Sequence, residues 1–216
     1  MTGFRNRRKE LEYQLRREFI VEVAQKLFYK HGYENVTLNQ VAKQADYTKA
    51  TLYTYIRSKE DLYMEVYSIG LQKRFEYLKQ EMLKGETGLD KIKLFGKAYF
   101  EFYRTNPEVL YHQQYIDYRE ISPEKIDNKL KERFKKINVD SYMIVVDALK
   151  EGIADGTINK KLDPNYLFSQ LIYSLRAIAS AAVYRKKSVY SEDNTEEVSR
   201  DWYYSFLELM VTAISS

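Results

Sequence analysis

The segment TLNQVAKQADYTKATLYTYIRSK, residues 37–59, decides the fold of this chain. It opens with T-L-N-Q, the pattern of a capping box in which Thr37 and Gln40 satisfy backbone amides at a helix start. A short apolar stripe at helical spacing follows, made of Leu38, Val41, Ala42 and Ala45. The pattern predicts a short helix with one buried face.

A tight turn and a second helix come next. Asp46 is one of the few non-glycine residues that tolerate a left-handed turn, and Thr48 is a favourable N-cap. Leu52 and Ile56 share one face of the helix, which we expect to run roughly from Thr48 to Ile56. The opposite face carries Thr48, Lys49, Thr51, Tyr53 and Tyr55. Hydroxyl, phenol and amine groups bind phosphate oxygens and base edges, although any small helical protein can carry a similar polar surface.

The longer pattern T-x-x-x-V-A-x-x-A-x-x-T-x-A-T-L-Y-x-Y-x-x-S-K-E-x-L resembles the helix-turn-helix of TetR/AcrR-type transcriptional regulators, over about residues 15–65. The resemblance implies a sequence-specific DNA-binding transcriptional regulator. It also implies a ligand-responsive repressor that binds a palindromic operator as a homodimer. The chain departs from the family pattern at Asp46, where glycine is usual, and at Tyr47, where a small aliphatic residue is usual.

The resemblance also implies a set of contacts with double-stranded DNA. Lys49 and Thr51, with Asn39 on the preceding helix, match positions that can reach base edges, and a lysine can donate to guanine O6 and N7. The whole set predicted in this way is Thr37, Asn39, Thr48, Lys49, Thr51, Tyr53, Tyr55 and Lys59. Among these, the positions matching phosphate contacts are Thr37, Tyr53, Tyr55 and Lys59.

The positive charge of the chain is concentrated in this part. Residues 1–59 hold 12 Lys and Arg against 6 Asp and Glu, whereas the remaining residues hold 23 against 25. A short basic arm precedes the first helix and contains Arg5, Arg7, Arg8 and Lys9. Such a cluster is expected where phosphates are neutralised. A solvated tail is the alternative.

The composition indicates an all-α fold. A hydrophobic content of 44% can form a core, and only three prolines and eight glycines favour long helices over a turn-rich β architecture. The chain has no cysteine, which excludes disulfides and thiolate chemistry. No secretory signal and no apolar run of the ~20 residues that a membrane span needs is present. We therefore expect a cytoplasmic protein that makes no membrane contact.

Two domains are predicted. Residues 1–60 form a three-helix DNA-binding domain with its basic arm, and residues 61–216 form a larger helical domain for effector binding and dimerisation. The first helix starts at about Tyr13, and a long connector helix follows Ser58. The later helices are predicted at 89–105, 109–120, 124–136, 139–153, 166–185 and 195–214, with a helix restart at Ser122–Pro123 and a polar loop over 186–194.

The last two predicted helices carry more apolar surface than one packing contact needs. A surplus of this kind indicates a partner, and small residues near Ala177 would permit close helix approach. We expect a two-fold four-helix interface that includes Leu167, Leu171, Leu175, Ile178, Phe206 and Met210. The alternative is that both faces are used inside one protomer.

Tyrosine is abundant, with 21 residues. Tyrosine rings suit a pocket for a flat aromatic or cationic ligand. The candidate small-molecule effector residues are Tyr99, Phe102, Tyr103, Tyr115, Tyr142 and Tyr173. An aromatic-rich core is the alternative for any one of them.

Catalysis finds little support in the sequence. The two histidines, His31 and His112, lie far apart, and no nucleophile, zinc or phosphate-loop motif is present. His112 with Asp117 and Glu120 would make a weak metal site. We expect no enzyme activity, no cofactor and no metal. The rival class is a helical ligand-binding or metal-binding protein, or an enzyme, without specific DNA binding.

Overall fold

The computed structural model describes residues 2–118, 124, 126–184 and 196–216. Within these residues the regular structure is helical, with no strand beyond an isolated bridge between Ile158 and Ser215. The helices are α1 (Thr2–His31), α2 (Leu38–Gln44), α3 (Lys49–Leu52), α4 (Lys59–Met82), α5 (Gly88–Thr105), α6 (Pro107–Tyr118), α7 (Asn128–Ala154), α8 (Pro164–Tyr184) and α9 (Glu196–Ile214). The predicted all-α fold is confirmed.

The chain divides into two compact units. The first comprises Met1–Gly70 with Gln113–Lys135, and the second comprises Leu71–His112 with Lys136–Ser216. This division falls inside α4, whereas the predicted boundary near residue 60 falls where α4 begins. The functional division into 1–60 and 61–216 stays a prediction.

The core of the first unit is built by the second half of α1, by α2 and α3, and by the start of α4. Its buried residues include Ile20, Ala24 and Phe28 on α1, together with Leu52 and Ile56 after the turn. Helix α1 therefore buries one face against the rest of this unit. Two helix limits differ from the prediction: α1 begins at Thr2 instead of Tyr13, and α3 ends at Leu52 instead of continuing to Ile56.

The start of α7 also belongs to the first unit. Ile126 and Leu130 are buried there, and the Asp127 N–H donates to Asp61 Oδ1 on α4 at 2.8 Å. The prediction of separate helices over 124–136 and 139–153 is wrong. Residues 128–151 contain no glycine or proline that would break one continuous helix. The predicted restart at Ser122–Pro123 and the loop over 186–194 lie outside the described residues.

Helices α5, α8 and α9 pack on one another in the second unit. Tyr203 on α9 joins α5 through its hydroxyl, which donates to Gly96 O at 2.8 Å, and its ring stacks on Phe100 at 4.5 Å. The start of α5 crosses α7 where Gly88 meets Gly152. A Cβ on Gly88 would lie 2.0 Å from Gly152 N, so this close approach requires glycine.

Helix α8 has one buried face, formed by Leu167, Leu171, Leu175 and Ala179. The three leucines are packed inside the second unit and cannot also face a second protomer. Their predicted place in a dimer interface is corrected on this ground. Among the described residues, Pro164–Val183 is the one segment whose length and composition would let it cross a membrane, with a mean hydropathy of 1.2. A helix with one face in a protein core has the same composition.

Candidate DNA-binding surface

The first helix of the motif starts with the predicted capping box. The Gln40 N–H donates to Thr37 Oγ1 at 3.3 Å, and the Thr37 N–H donates to Gln40 Oε1 at 2.7 Å. Val41 and Ala42 point into the core. Thr37 and Asn39 are exposed at the start of α2, so both predicted DNA contacts are accessible.

The turn contains both departures from the family pattern. Asp46 has φ of 59°, the left-handed conformation that glycine usually supplies, and among the described non-glycine residues it alone has positive φ. Tyr47 is half-buried and packs against the core beside α3, with its ring 6.2 Å from that of Tyr55. Aspartate therefore replaces glycine in this turn, and the larger side chain of Tyr47 is accommodated by the core edge.

Helix α3 is short and capped by hydroxyls. The Thr51 N–H donates to Thr48 Oγ1 at 3.1 Å, and the two threonine hydroxyl oxygens lie 2.8 Å apart. Leu52 is fully buried on the inner face, which fixes the helix against the core. Thr48 and Lys49 are exposed on the outer face, and Thr51 is half-buried.

The predicted contacts form two groups on either side of α3. Asn39, Thr48 and Lys49 line one open groove between α2 and α3. Tyr53 and Tyr55 lie on the other side, where they border a cleft of about 610 Å³ together with Arg17 of α1. Asn39 and Lys49, two of the three residues predicted to read bases, are thus separate from the two phenols predicted to contact phosphate.

Lys59 is held by an aromatic ring. Its Nζ lies 4.0 Å above the ring centroid of Tyr33, a cation–π contact. Partial burial lowers the pKa of Lys59. The Tyr33 ring packs against Tyr63 at 4.6 Å and against Tyr115 of α6 at 5.1 Å. A predicted phosphate contact is therefore connected, ring by ring, to the end of α6.

Helix α1 holds this surface in place through contacts that the sequence did not predict. The Tyr13 hydroxyl donates to Thr54 O at 3.3 Å, and its ring lies 5.0 Å from that of Tyr55. One turn further on, Arg17 donates through both terminal nitrogens to the carboxylate of Glu65 on α4. These partners are 41 and 48 residues apart in sequence. No local pattern predicts such pairs.

This surface has the arrangement of a helix-turn-helix, and comparisons with known proteins agree. The family described as bacterial regulatory proteins, tetR family, matches residues 20–66. The transcriptional regulator QacR of Staphylococcus aureus is 30% identical over 141 residues, which span 63% of this chain and 70% of that protein.

The chain belongs to the tetR family.

Solved structures of other regulators have the same fold as this TetR-family chain. The match with the regulator FadR from Bacillus subtilis spans 91% of this chain and 98% of FadR, with a TM-score of 0.68 at 19% sequence identity. The match with the ketosteroid regulator KstR2 of Mycobacterium tuberculosis spans 93% of this chain and 95% of KstR2, with a TM-score of 0.62 at 19% sequence identity. Family membership makes the protein a DNA-binding transcriptional regulator of the helix-turn-helix type.

The six aromatic residues predicted for an effector have different surroundings in this TetR-family regulator, and their role in ligand binding stays a prediction. Three of them, Tyr99, Phe102 and Tyr103, are buried together in the second unit, with the rings of Tyr99 and Tyr103 4.9 Å apart. The Tyr103 hydroxyl accepts a hydrogen bond from buried Arg74 at 2.8 Å.

The other three aromatic residues lie elsewhere. Tyr142, in the middle of α7, packs on Phe168, and Tyr173 is 65% exposed. Tyr115 belongs to the first unit, where its hydroxyl donates to Glu34 Oε1 at 2.8 Å.

The chemistry of His112 is that of a core residue. It is 1% exposed, and burial lowers its pKa to about 4. The side chain of Asp117 and the whole of Glu120, its proposed metal partners, lie outside the described residues. No group of three or more candidate metal ligands occurs in the part of the chain that the structure describes. The relatives of this chain are transcriptional regulators rather than enzymes.

Proposed function

We propose that this protein is a cytoplasmic, effector-controlled repressor that binds a palindromic operator as a homodimer. The observation that carries the proposal is the outer face of α3. Lys49 and Thr48 are exposed on a capped helix whose inner face is anchored by fully buried Leu52. A helix fixed in this way can present side chains to a major groove without losing its orientation.

The two sides of α3 have different roles in this proposal. Asn39, Lys49 and Thr51 read base edges, because amide, amine and hydroxyl groups match the donors and acceptors of the major groove. Thr37, Tyr53 and Tyr55 bind phosphates and set the register of the protein on the duplex. Thr48 supports both roles as the N-cap of α3.

Dimerisation is proposed to use the outer faces of α8 and α9. On α9, Trp202, Phe206, Leu209 and Ala213 follow the helical spacing i, i+4, i+7, i+11 and are exposed or half-buried. On α8, Tyr166, Tyr173, Ala177 and Ala181 follow the same kind of stripe and are exposed. Ile178 and Met210 are half-buried at the edges of these stripes. Two apolar stripes on neighbouring helices suit a two-fold four-helix contact.

The effector is proposed to be a small molecule that binds in the second unit near Tyr99, Phe102 and Tyr103. Arg74 places a buried cation beside the Tyr103 hydroxyl, which favours a ligand with an anionic or hydrogen-bond-accepting group over a cationic ligand. The structure of the similar FadR is a complex with stearoyl-CoA. An anionic effector therefore replaces the aromatic or cationic ligand suggested by the tyrosine content alone.

Helix α4 provides the connection in this proposal. It runs unbroken from Lys59 to Met82, so it begins beside the DNA-binding motif and carries Arg74 in its second half. An effector that binds one orientation of α4 more tightly shifts the population toward that orientation. The spacing of the two recognition helices then changes, and operator affinity falls.

Operator binding by two variants, followed by gel shift across a salt series, tests the proposal. Lys49→Ala is expected to lose about 1–3 kcal/mol at particular base pairs and to relax specificity there. Tyr53→Phe is expected to weaken binding by about 1 kcal/mol on every sequence, because one phosphate hydrogen bond is lost. Unchanged binding in both variants would show that α3 is not the recognition helix.

A further inference from the structure

The first turns of α1 continue far beyond the core of the DNA-binding unit. Helix α1 is 30 residues long, but its buried residues begin only at Ile20. The described side chains from Asn6 to Arg16 are exposed. Most of this part of the helix therefore lies outside the core of the first unit and presents its side chains to solvent.

The exposed N-terminal part of α1 forms an arm that is attached beside the end of the recognition helix. Tyr13 contacts Thr54 and Tyr55, the residues that directly follow α3. Arg16 lies on the same side of the helix, because it follows Tyr13 by three residues. The neighbouring Tyr55 hydroxyl and Glu12 carboxylate raise the pKa of Arg16. One face of α1 is thus directed at the phenols predicted to contact phosphate.

Helical periodicity puts Lys9 on that face. Residues four and seven apart share one side of a helix, and Lys9 precedes Tyr13 by four residues and Arg16 by seven. Arg7 belongs to the same turn but is rotated from Lys9 by about 200°. The carboxylate of Glu12 lies 2.6 Å from Arg16. Among the cations of this face whose side chains the structure describes, Lys9 is exposed and lies farthest toward the N-terminus.

The charge of the arm selects the partner. Residues 2–9 contain four basic residues and no acidic residue. A second copy of the arm would be repelled by its like charge, whereas the backbone of duplex DNA carries dense negative charge. The position beside α3 makes the arm continuous with the proposed DNA contacts.

We propose that the first turns of α1 form a helical arm that contacts the operator backbone beside each recognition helix, with Lys9 as its phosphate contact. This inference rests on the proposed function. The arm adds affinity without reading sequence, because phosphate contacts position a protein and base contacts specify it.

Matched variants test the arm: Lys9→Gln and Arg7→Gln each remove one positive charge from the same helical turn. Operator affinity is measured for both full-length variants and for the wild type from 50 to 200 mM salt. Lys9→Gln is expected to reduce the slope of log affinity against log salt by about 0.9, the value for one lost phosphate contact. Its affinity deficit is then about threefold larger at 50 mM than at 200 mM. Arg7→Gln is expected to keep the wild-type slope.

Equal slopes for the two variants would overturn the arm contact. The salt dependence of binding would then be independent of the face of α1 on which the charge lies. A Lys9→Gln variant with the wild-type slope and altered sedimentation would overturn it in favour of a contact with a second copy. Wild-type protein that binds no operator would contradict the proposed function itself, and the arm with it. Circular dichroism of both variants verifies that α1 keeps its helicity.

Discussion

Lys59 and Tyr33 show how a single contact connects the DNA-binding surface to the rest of the first unit. The ammonium of Lys59 lies 4.0 Å above the Tyr33 ring, and that ring packs on Tyr115 of α6. In the proposed complex, a lysine held in this way would be oriented before it meets a phosphate. Movement of Tyr115 would change that orientation without altering any residue that contacts DNA.

A double-mutant cycle with Lys59→Gln and Tyr33→Leu tests this connection. Tyr33→Leu is expected to weaken operator binding when Lys59 is present and to have no effect on binding when it is absent. The coupling energy should be about 0.5–1 kcal/mol, the value of a partly exposed cation–π contact. Tyr33→Phe retains the ring and is the control. Additive effects of the two substitutions on operator affinity would rule out the role of Tyr33.

Burial of His112 makes the stability of the second unit depend on pH. The pKa of His112 is about 4 in the folded protein, below its ordinary value of about 6.5. The unfolded chain therefore binds the proton first as the pH falls, and stability is lost between about pH 6.5 and pH 4. The loss from pH 7 to pH 5 is about 2 kcal/mol for this one group.

Urea unfolding of the wild type and of His112→Gln at pH 7 and pH 5 measures this effect. The wild type is expected to lose about 2 kcal/mol more than the variant over that interval. Other titrating groups are common to both proteins, so their contributions cancel in the comparison. Identical losses in the two proteins would mean that His112 is not held neutral by burial.

At the scale of helices, Glu65 joins three elements. Its carboxylate accepts from Arg17 of α1 through both oxygens, and Arg133 of α7 lies 3.5 Å away. Glu65 is 6% exposed, so the ion pair is shielded from water. Together with the bond from the Asp127 N–H to Asp61, it fixes the start of α7 on α1 and α4.

Glu65→Gln is expected to destabilise the first unit by about 2–3 kcal/mol, because the half-buried guanidinium of Arg17 loses its charged partner. Glu12→Gln, which removes the exposed partner of Arg16, is the matched control and should cost less than about 1 kcal/mol. Denaturant unfolding and amide hydrogen exchange in α1 provide the measurement. Equal effects of the two substitutions would show that the Glu65 pair contributes no more than a surface pair.

The sequence could predict the local features of these helices but not the contacts between them. The caps of α2 and α3 and the left-handed Asp46 were predictable because each depends on residues at most three apart. The packing of the start of α7 in the first unit could not be predicted, since Asp61 and Asp127 are 66 residues apart in sequence. Nor could the sequence show that Tyr99, Phe102 and Tyr103 are buried together whereas Tyr173 is exposed, because composition carries no information on which helices become neighbours.

At the scale of the whole molecule, the exposed stripes of α8 and α9 predict a stable dimer. Leu209→Glu introduces a charge into the α9 stripe, where Leu209 is 65% exposed in the protomer. It is expected to raise the dissociation constant of the dimer at least ~10-fold, because a charge at the core of an apolar interface costs more than ~1.4 kcal/mol. Sedimentation velocity gives the measurement.

Leu83→Glu is the matched control for the dimer, since Leu83 is 70% exposed near the end of α4 and lies outside both stripes. It should leave the association unchanged. A wild-type protein that is monomeric at micromolar concentration would contradict this interface.

In the proposed complex, a two-fold dimer reads DNA sequence twice, once with the capped helix α3 of each protomer. Selection of bound duplexes from a random pool by the wild-type protein tests it most directly. We expect enrichment of a palindrome whose half-sites lie about one helical turn or slightly more apart, with specificity relaxed at defined base pairs in Lys49→Ala. Enrichment of no sequence, or a consensus unchanged by Lys49→Ala, would contradict it.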